Sequence, residues 1–94
     1  MNATMVESHA AGIWQRVLHP EVGDFSPEAA RRFLKWDFAE TDKKRADELA
    51  AKARAGTLTE AEDQELRSFM VVDAILSIVH AKAQLSLRQA GLDQ

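Results

Sequence analysis

The chain has 94 residues, 46% of them hydrophobic and 29% charged, with a formal net charge of −3 and no cysteine. This is the profile of one small soluble domain, at a length that buries only about 60–65% of its unfolded surface. The missing cysteines exclude disulfides, thiolate metal sites and cysteine nucleophiles, and the acidic balance argues against a surface given over to nucleic acid.

The opening stretch MNATMVESHAAG has no basic segment leading into an apolar core and does not read as a signal peptide. The apolar run at 69–79 falls short of the roughly 20 residues of a membrane helix, and Asp73 interrupts it. The expected location is the cytoplasm, away from membranes.

Strand alternation never persists, whereas helix signals arrive with their caps. Thr4 and Glu7 have capping-box spacing. Val6, Ala10, Ile13 and Val17 then recur at helical intervals, with Trp14 and Leu18 widening the stripe, over a first helix at about 5–18 that His19-Pro20 ends. After the turn at 21–25, Ser26-Pro27-Glu28 supplies a serine cap, a proline at the first helical position and an acid in the first turn. The second helix is expected at about 27–39. Asp37 then projects onto its apolar face between Ala30 and Phe33, so it is either buried and paired or placed where the helix frays.

A third helix at about 42–55 carries the small inward stripe Ala46, Leu49, Ala50 and Ala53 and stops at Gly56. Thr57-Leu58-Thr59 is the whole link to the fourth, and Thr59 with Glu62 forms a second capping box, so helices three and four form an antiparallel hairpin. Nothing stops the fourth helix from Glu60 to Ala90, about 46 Å at 1.5 Å per residue, long enough to back two shorter helices end to end. Its acidic start at Glu60, Glu62, Asp63 and Glu65, and Lys82 and Arg88 toward its end, complement the helix dipole. The expected fold is all-α: four helices arranged around a long C-terminal helix and a hairpin.

Within FMVVDAILSIVH, Asp73, Ser77 and His80 share one face of the fourth helix with Gln84 and Arg88. That stripe is either the solvent edge of a core helix or the register-setting part of an interface. It is not a catalytic set, because Asp73 and His80 lie about 10 Å apart along the axis and a base with its orienting acid needs about 3 Å. His9, His19 and His80 are scattered, with no pair at ligand spacing, so no metal site and no cofactor is expected. Between positions 31 and 54 eight basic residues face five acids. Arg31, Arg32, Lys35, Lys43, Lys44 and Arg45 are the candidate contacts for an acidic partner or for phosphates, although a nucleic-acid footprint is ordinarily more basic. Trp14 and Trp36 fall on apolar faces near charged neighbours, in core or at a binding surface.

The segments SPEAARRFLKWDF, KARAGTLTEAEDQEL and AKAQLSLRQAG resemble a family of short, uncharacterised bacterial all-helical proteins, over about Ile13 to Gly91. The shared positions are caps and packing residues. The resemblance therefore implies a helical fold and an accessory or antitoxin-like role beside a larger protein, with no catalytic residues to carry over. The expected function is a non-enzymatic interaction module that binds a protein partner, or itself, through the fourth helix. Phe69, Val72, Leu76 and Val79 are its expected anchors, with Asp73, Ser77 and His80 as polar contacts. Regulation of nucleic-acid processing through the basic segment is the alternative, and an enzyme built on His80 and Asp37 a distant third.

Overall fold

Thr59 opens the longest element as its spacing requires. Its Oγ accepts from the Glu62 N–H at 3.1 Å, and the Glu62 carboxylate accepts from the Thr59 N–H at 3.0 Å. In the computed structural model, which describes residues 3–92 and side chains from residue 9, this helix is the last of four among the described residues: α1 Ala3–Leu18, α2 Pro27–Leu34, α3 Glu40–Ala55 and α4 Glu60–Gln89. The expected Thr4–Glu7 box falls on side chains outside the described ones. Ser26 caps α2 by accepting from the Ala29 N–H at 3.2 Å. Gly56 ends α3 at φ +73°, a conformation that costs glycine little and a Cβ-bearing residue more.

The other three helices each pack on α4. Contacts trace the chain back along it: Gly23 lies against Ser86, Ala30 packs with Ala83 and Leu87, His80 meets Trp36, Phe38 meets Phe69, and Arg45 meets Glu65. So α2 and α3 follow one another along α4 and run antiparallel to it, as the length of α4 suggested. The main apolar cluster is Ala30, Ala83 and Leu87 with Phe25, Phe33 and Leu34 around it. Phe25 and Phe33 are 4.7 Å apart, and Phe33 and Trp36 meet edge to face at 4.7 Å. In the hairpin, Leu49 is the one fully covered side chain of α3.

Three details depart from the sequence reading. First, α2 stops at Leu34 instead of about 39. The N–H groups of Lys35 and Trp36 close tight turns onto Arg32 and Phe33, and the His80 ring nitrogen Nε2 lies 2.9 Å from the Trp36 carbonyl. Asp37 is therefore outside any helix and exposed; its carboxylate accepts from the Phe38 N–H at 2.8 Å and pairs with Lys43 at 2.8 Å. Fraying was the correct alternative.

Second, Lys82 is a buried anchor as well as a charge near the end of a helix dipole. It is 4% exposed. Its ammonium donates to the carbonyls of Leu18 at 2.6 Å and His19 at 3.2 Å, pairs with Asp24 at 2.6 Å, and lies 5.0 Å from the Phe25 ring centre. Four residues between 18 and 25 are thereby gathered around one atom. The lysine caps the C-terminus of α1, whose last carbonyls have no helical partner, and holds the α1–α2 loop down. Ser86, one turn on, accepts from the Phe25 N–H at 3.2 Å and donates to the Lys82 carbonyl at 2.7 Å.

Third, α1 does not bury its apolar stripe. Ile13 is 53% exposed, Val17 64% and Trp14 40%. Ala10, Ala11, Gly12 and Leu18 are the partly covered positions, and Val6 lies outside the described side chains.

Candidate functional site

Phe38, in the extended link between α2 and α3, meets Phe69 of α4 with ring centres 5.8 Å apart. The pair divides two open grooves. One, of about 270 Å³, lies between α3 and α4 and is walled by Ala46, Ala50, Leu66 and Met70 with Asp47 and Asp73 at its edge. The small α3 stripe makes it, because alanines leave room that leucines would fill. The other, of about 350 Å³, is walled by Phe69 and Val72 with Asp42, Glu65 and Ser68. Met70 is 51% exposed and Val72 45%. An apolar floor with carboxylates at its rim is a surface for an apolar segment carrying positive charge.

The electrostatics of the hairpin engage one rim carboxylate, Glu65, and leave the aspartates at the rims without ion pairs among the described residues. Arg45 forks onto both oxygens of Glu65 at 2.9 Å each and approaches Glu48 and Glu62, and these partners hold its guanidinium firmly charged, Glu65 above all. Lys52 pairs with Glu62, and this contact first, then the Thr59 N–H, draws the Glu62 carboxyl from an ordinary 4.5 down to about 2. Asp42, Asp47 and Asp73 form no ion pair among the described residues.

The expected anchors separate. Phe69 and Leu76 are half-buried and Val72 is exposed, so each keeps some reachable surface. Val79 does not serve as one: it is 6% exposed, in the C-terminal stretch 78–87 of α4 that holds the buried side chains of this helix. Asp73 and Ser77 are exposed; His80 turns inward onto the Trp36 carbonyl, and no hydrogen bond joins the three among the described residues. Sequence reasoning passed over Phe38 and Met70. The available signal for Phe38 was an aromatic residue in a short link between two helices that must lie end to end.

The basic set divides as well. Lys43 is engaged by Asp37 and Glu40, and Arg45 by Glu65. Arg31, Arg32, Lys35 and Lys44 are exposed and carry no ion pair among the described residues. Asp37 and His80 come close enough to interact electrostatically at the end of α2, yet each is bonded to structural partners. Among the described residues no group of three His, Asp or Glu side chains could hold a metal ion.

By length and composition alone α4 could cross a membrane, since the helix is longer than the 69–79 run considered in the sequence. Among the described residues it also supplies six of the eight buried side chains, Ile78, Val79, Lys82, Ala83, Ser86 and Leu87, as the spine of a folded domain does. Comparison with family models, curated proteins and solved structures returns no match to this chain.

Proposed function

We propose that the protein is a small non-enzymatic interaction module, a cytoplasmic accessory or antitoxin-like subunit, that receives an amphipathic segment of a protein partner on the grooves beside Phe38 and Phe69. The observation that carries this reading is the coincidence of exposed Met70 and Val72, two grooves and the unpaired carboxylates of Asp42, Asp47 and Asp73 on one hairpin. Apolar contacts with Phe69, Val72 and Leu76 supply affinity, and the acids select a partner helix with basic flanks. The test is capture of a partner from native extract by the wild type and by Met70→Glu/Val72→Glu. The reading requires loss of capture by the double variant with helicity unchanged; equal capture refutes it.

A second reading has one observation in its favour, the four basic residues Arg31, Arg32, Lys35 and Lys44 without ion pairs among the described residues. Contact with nucleic acid through them would fall steeply between low and physiological salt. Binding indifferent to salt would exclude it.

A further inference from the structure

The formal charge of −3 hides a division along the chain. Residues 9–36 and 78–92, which hold α2, the described side chains of α1 and the C-terminal part of α4, carry six Lys and Arg against three Asp and Glu. Residues 37–77, the hairpin side, carry six against ten. An anion is therefore drawn to the α2 side and turned away from the grooves.

On that side the cations gather on one helix. From Ala29 to Trp36 no acid occurs, and Arg31, Arg32 and Lys35 are exposed, without ion pairs among the described residues, at spacings of three and four. Trp36 follows, one turn beyond Arg32, at 52% exposure. The next residue, Asp37, is neutralised by Lys43 at 2.8 Å. The tryptophan is fixed in place: its N–H donates to the Phe33 carbonyl at 3.1 Å, its carbonyl lies 2.9 Å from His80 Nε2, and its ring meets Phe33 edge to face at 4.7 Å. A ring already held, with half of it in water, loses little freedom when a flat group stacks on it. Cations beside such a ring fit a flexible polyanion that carries flat rings, which is the chemistry of single-stranded nucleic acid. A duplex offers the same phosphates but keeps its bases stacked on one another. An acidic peptide offers charge without a ring at each step.

We propose, resting on the basic-segment reading and narrowing it to α2 and to unpaired strands, that Arg31, Arg32 and Lys35 hold the phosphates of single-stranded nucleic acid while Trp36 stacks on a base. Fluorescence titration of the full chain carrying Trp14→Phe, so that Trp36 alone reports, with an oligothymidylate of about 12 nucleotides tests it. Emission should be quenched on binding, and the logarithm of affinity should fall against that of salt with a slope of about −2, as for three phosphates of a single strand. Trp36→Ala, followed by anisotropy of a labelled strand, should weaken binding about 10-fold, the loss of one stacked base. Arg31→Ala/Arg32→Ala should reduce the slope to about −0.7. All three side chains are exposed, so circular dichroism should show helicity kept, and the quench and salt slope are read without either variant. Met70→Glu/Val72→Glu, on the acidic hairpin, should leave the quench in place. Salt-dependent binding with Trp36 emission unchanged and no effect of Trp36→Ala overturns the stacking while phosphate contact through the basic segment stands. Equal affinity for a duplex of the same length, or equal quenching by polyglutamate, likewise overturns the single-strand assignment. No binding even at low salt overturns the basic-segment reading with it.

Discussion

Replacing Lys82 with methionine separates its charge from its packing. The stem keeps its place against Phe25, while the Leu18 carbonyl loses this donor, the His19 carbonyl keeps only the Val22 N–H at 2.9 Å, and Asp24 loses its partner. Asp24 is 67% exposed and returns to water readily, so the loss concentrates on the carbonyls. A hydrogen bond to a charged group contributes about 1.5–3 kcal/mol when buried. These carbonyls are only partly buried, and water recovers about half, leaving about 1.5–3 kcal/mol for the two. For a domain of this length the melting temperature should then fall by about 10–20 °C. Thermal unfolding followed by circular dichroism measures it. Asp24→Asn should cost a small part of that fall, because the amide oxygen still accepts from the ammonium and Asp24 itself is 67% exposed. A Lys82→Met protein that melts within about 3 °C of the wild type would refute the view that this ammonium holds α1 and its loop to α4.

Three more expectations follow from the same geometry. A Cβ at Gly23 would sit 2.9 Å from the Ser86 nitrogen and 3.0 Å from the Leu85 carbonyl carbon, backbone that cannot step aside. Gly23→Ala should therefore lift the loop, cost about 1–3 kcal/mol in urea unfolding and remove exchange protection at the Phe25 N–H; an unchanged midpoint would mean the loop gives way freely. Glu62 has its folded value depressed from 4.5 to about 2, so its contribution is complete above 4.5 and disappears as pH falls toward 2. Glu62→Gln should accordingly flatten the acid loss of stability in that window, and an acid limb as steep as the wild type's counts against the Lys52 contact. Salt at about 1 M, where screening acts over roughly 3 Å, should speed amide exchange in α3 more than in the α2-facing half of α4; equal acceleration of both would contradict the division of forces described below.

Much of the fold was legible because its signals are local. The box at Thr59 and Glu62, the glycine at 56 and the uninterrupted apolar period of α4 lie within one element each, and each performs the role its spacing suggested. The end of α2 was not legible, since His80 caps the Trp36 carbonyl from 44 residues away. Lys82 could not be told from an ordinary last-turn cation: what makes it an anchor is the arrival of Leu18, His19 and Asp24, which no spacing on α4 reports. Periodicity showed that α1 is two-faced, but a stripe says only that something apolar should meet it. Along α4, apolar character marked Phe69, Val72 and Val79 alike. Only the packing of the other helices on α4 decides that Val79 is core while Val72 stays open.

The two halves of α4 are held by different forces, and this difference places the grooves. Its C-terminal half gathers Ala83, Leu87 and the phenylalanines, with Lys82, Ser86 and His80 each satisfying a backbone group of another segment. Apolar burial with saturated polar contacts gives a part that opens only with the whole fold. Its N-terminal half meets an alanine-rich α3 whose one fully covered side chain is Leu49, and ion pairs of Arg45 with Glu65 and Glu62 and of Lys52 with Glu62 tie the two. Partly exposed ion pairs are weak and sensitive to salt, so the hairpin is the region where side chains and helix spacing adjust at least cost. The unfilled volume beside Phe38 and Phe69 lies in that region, because the alanines that let α3 approach closely are too small to fill the space around the aromatic pair. A partner segment inserting there would supply the apolar contacts α3 lacks, so binding and stiffening of the hairpin would be one event.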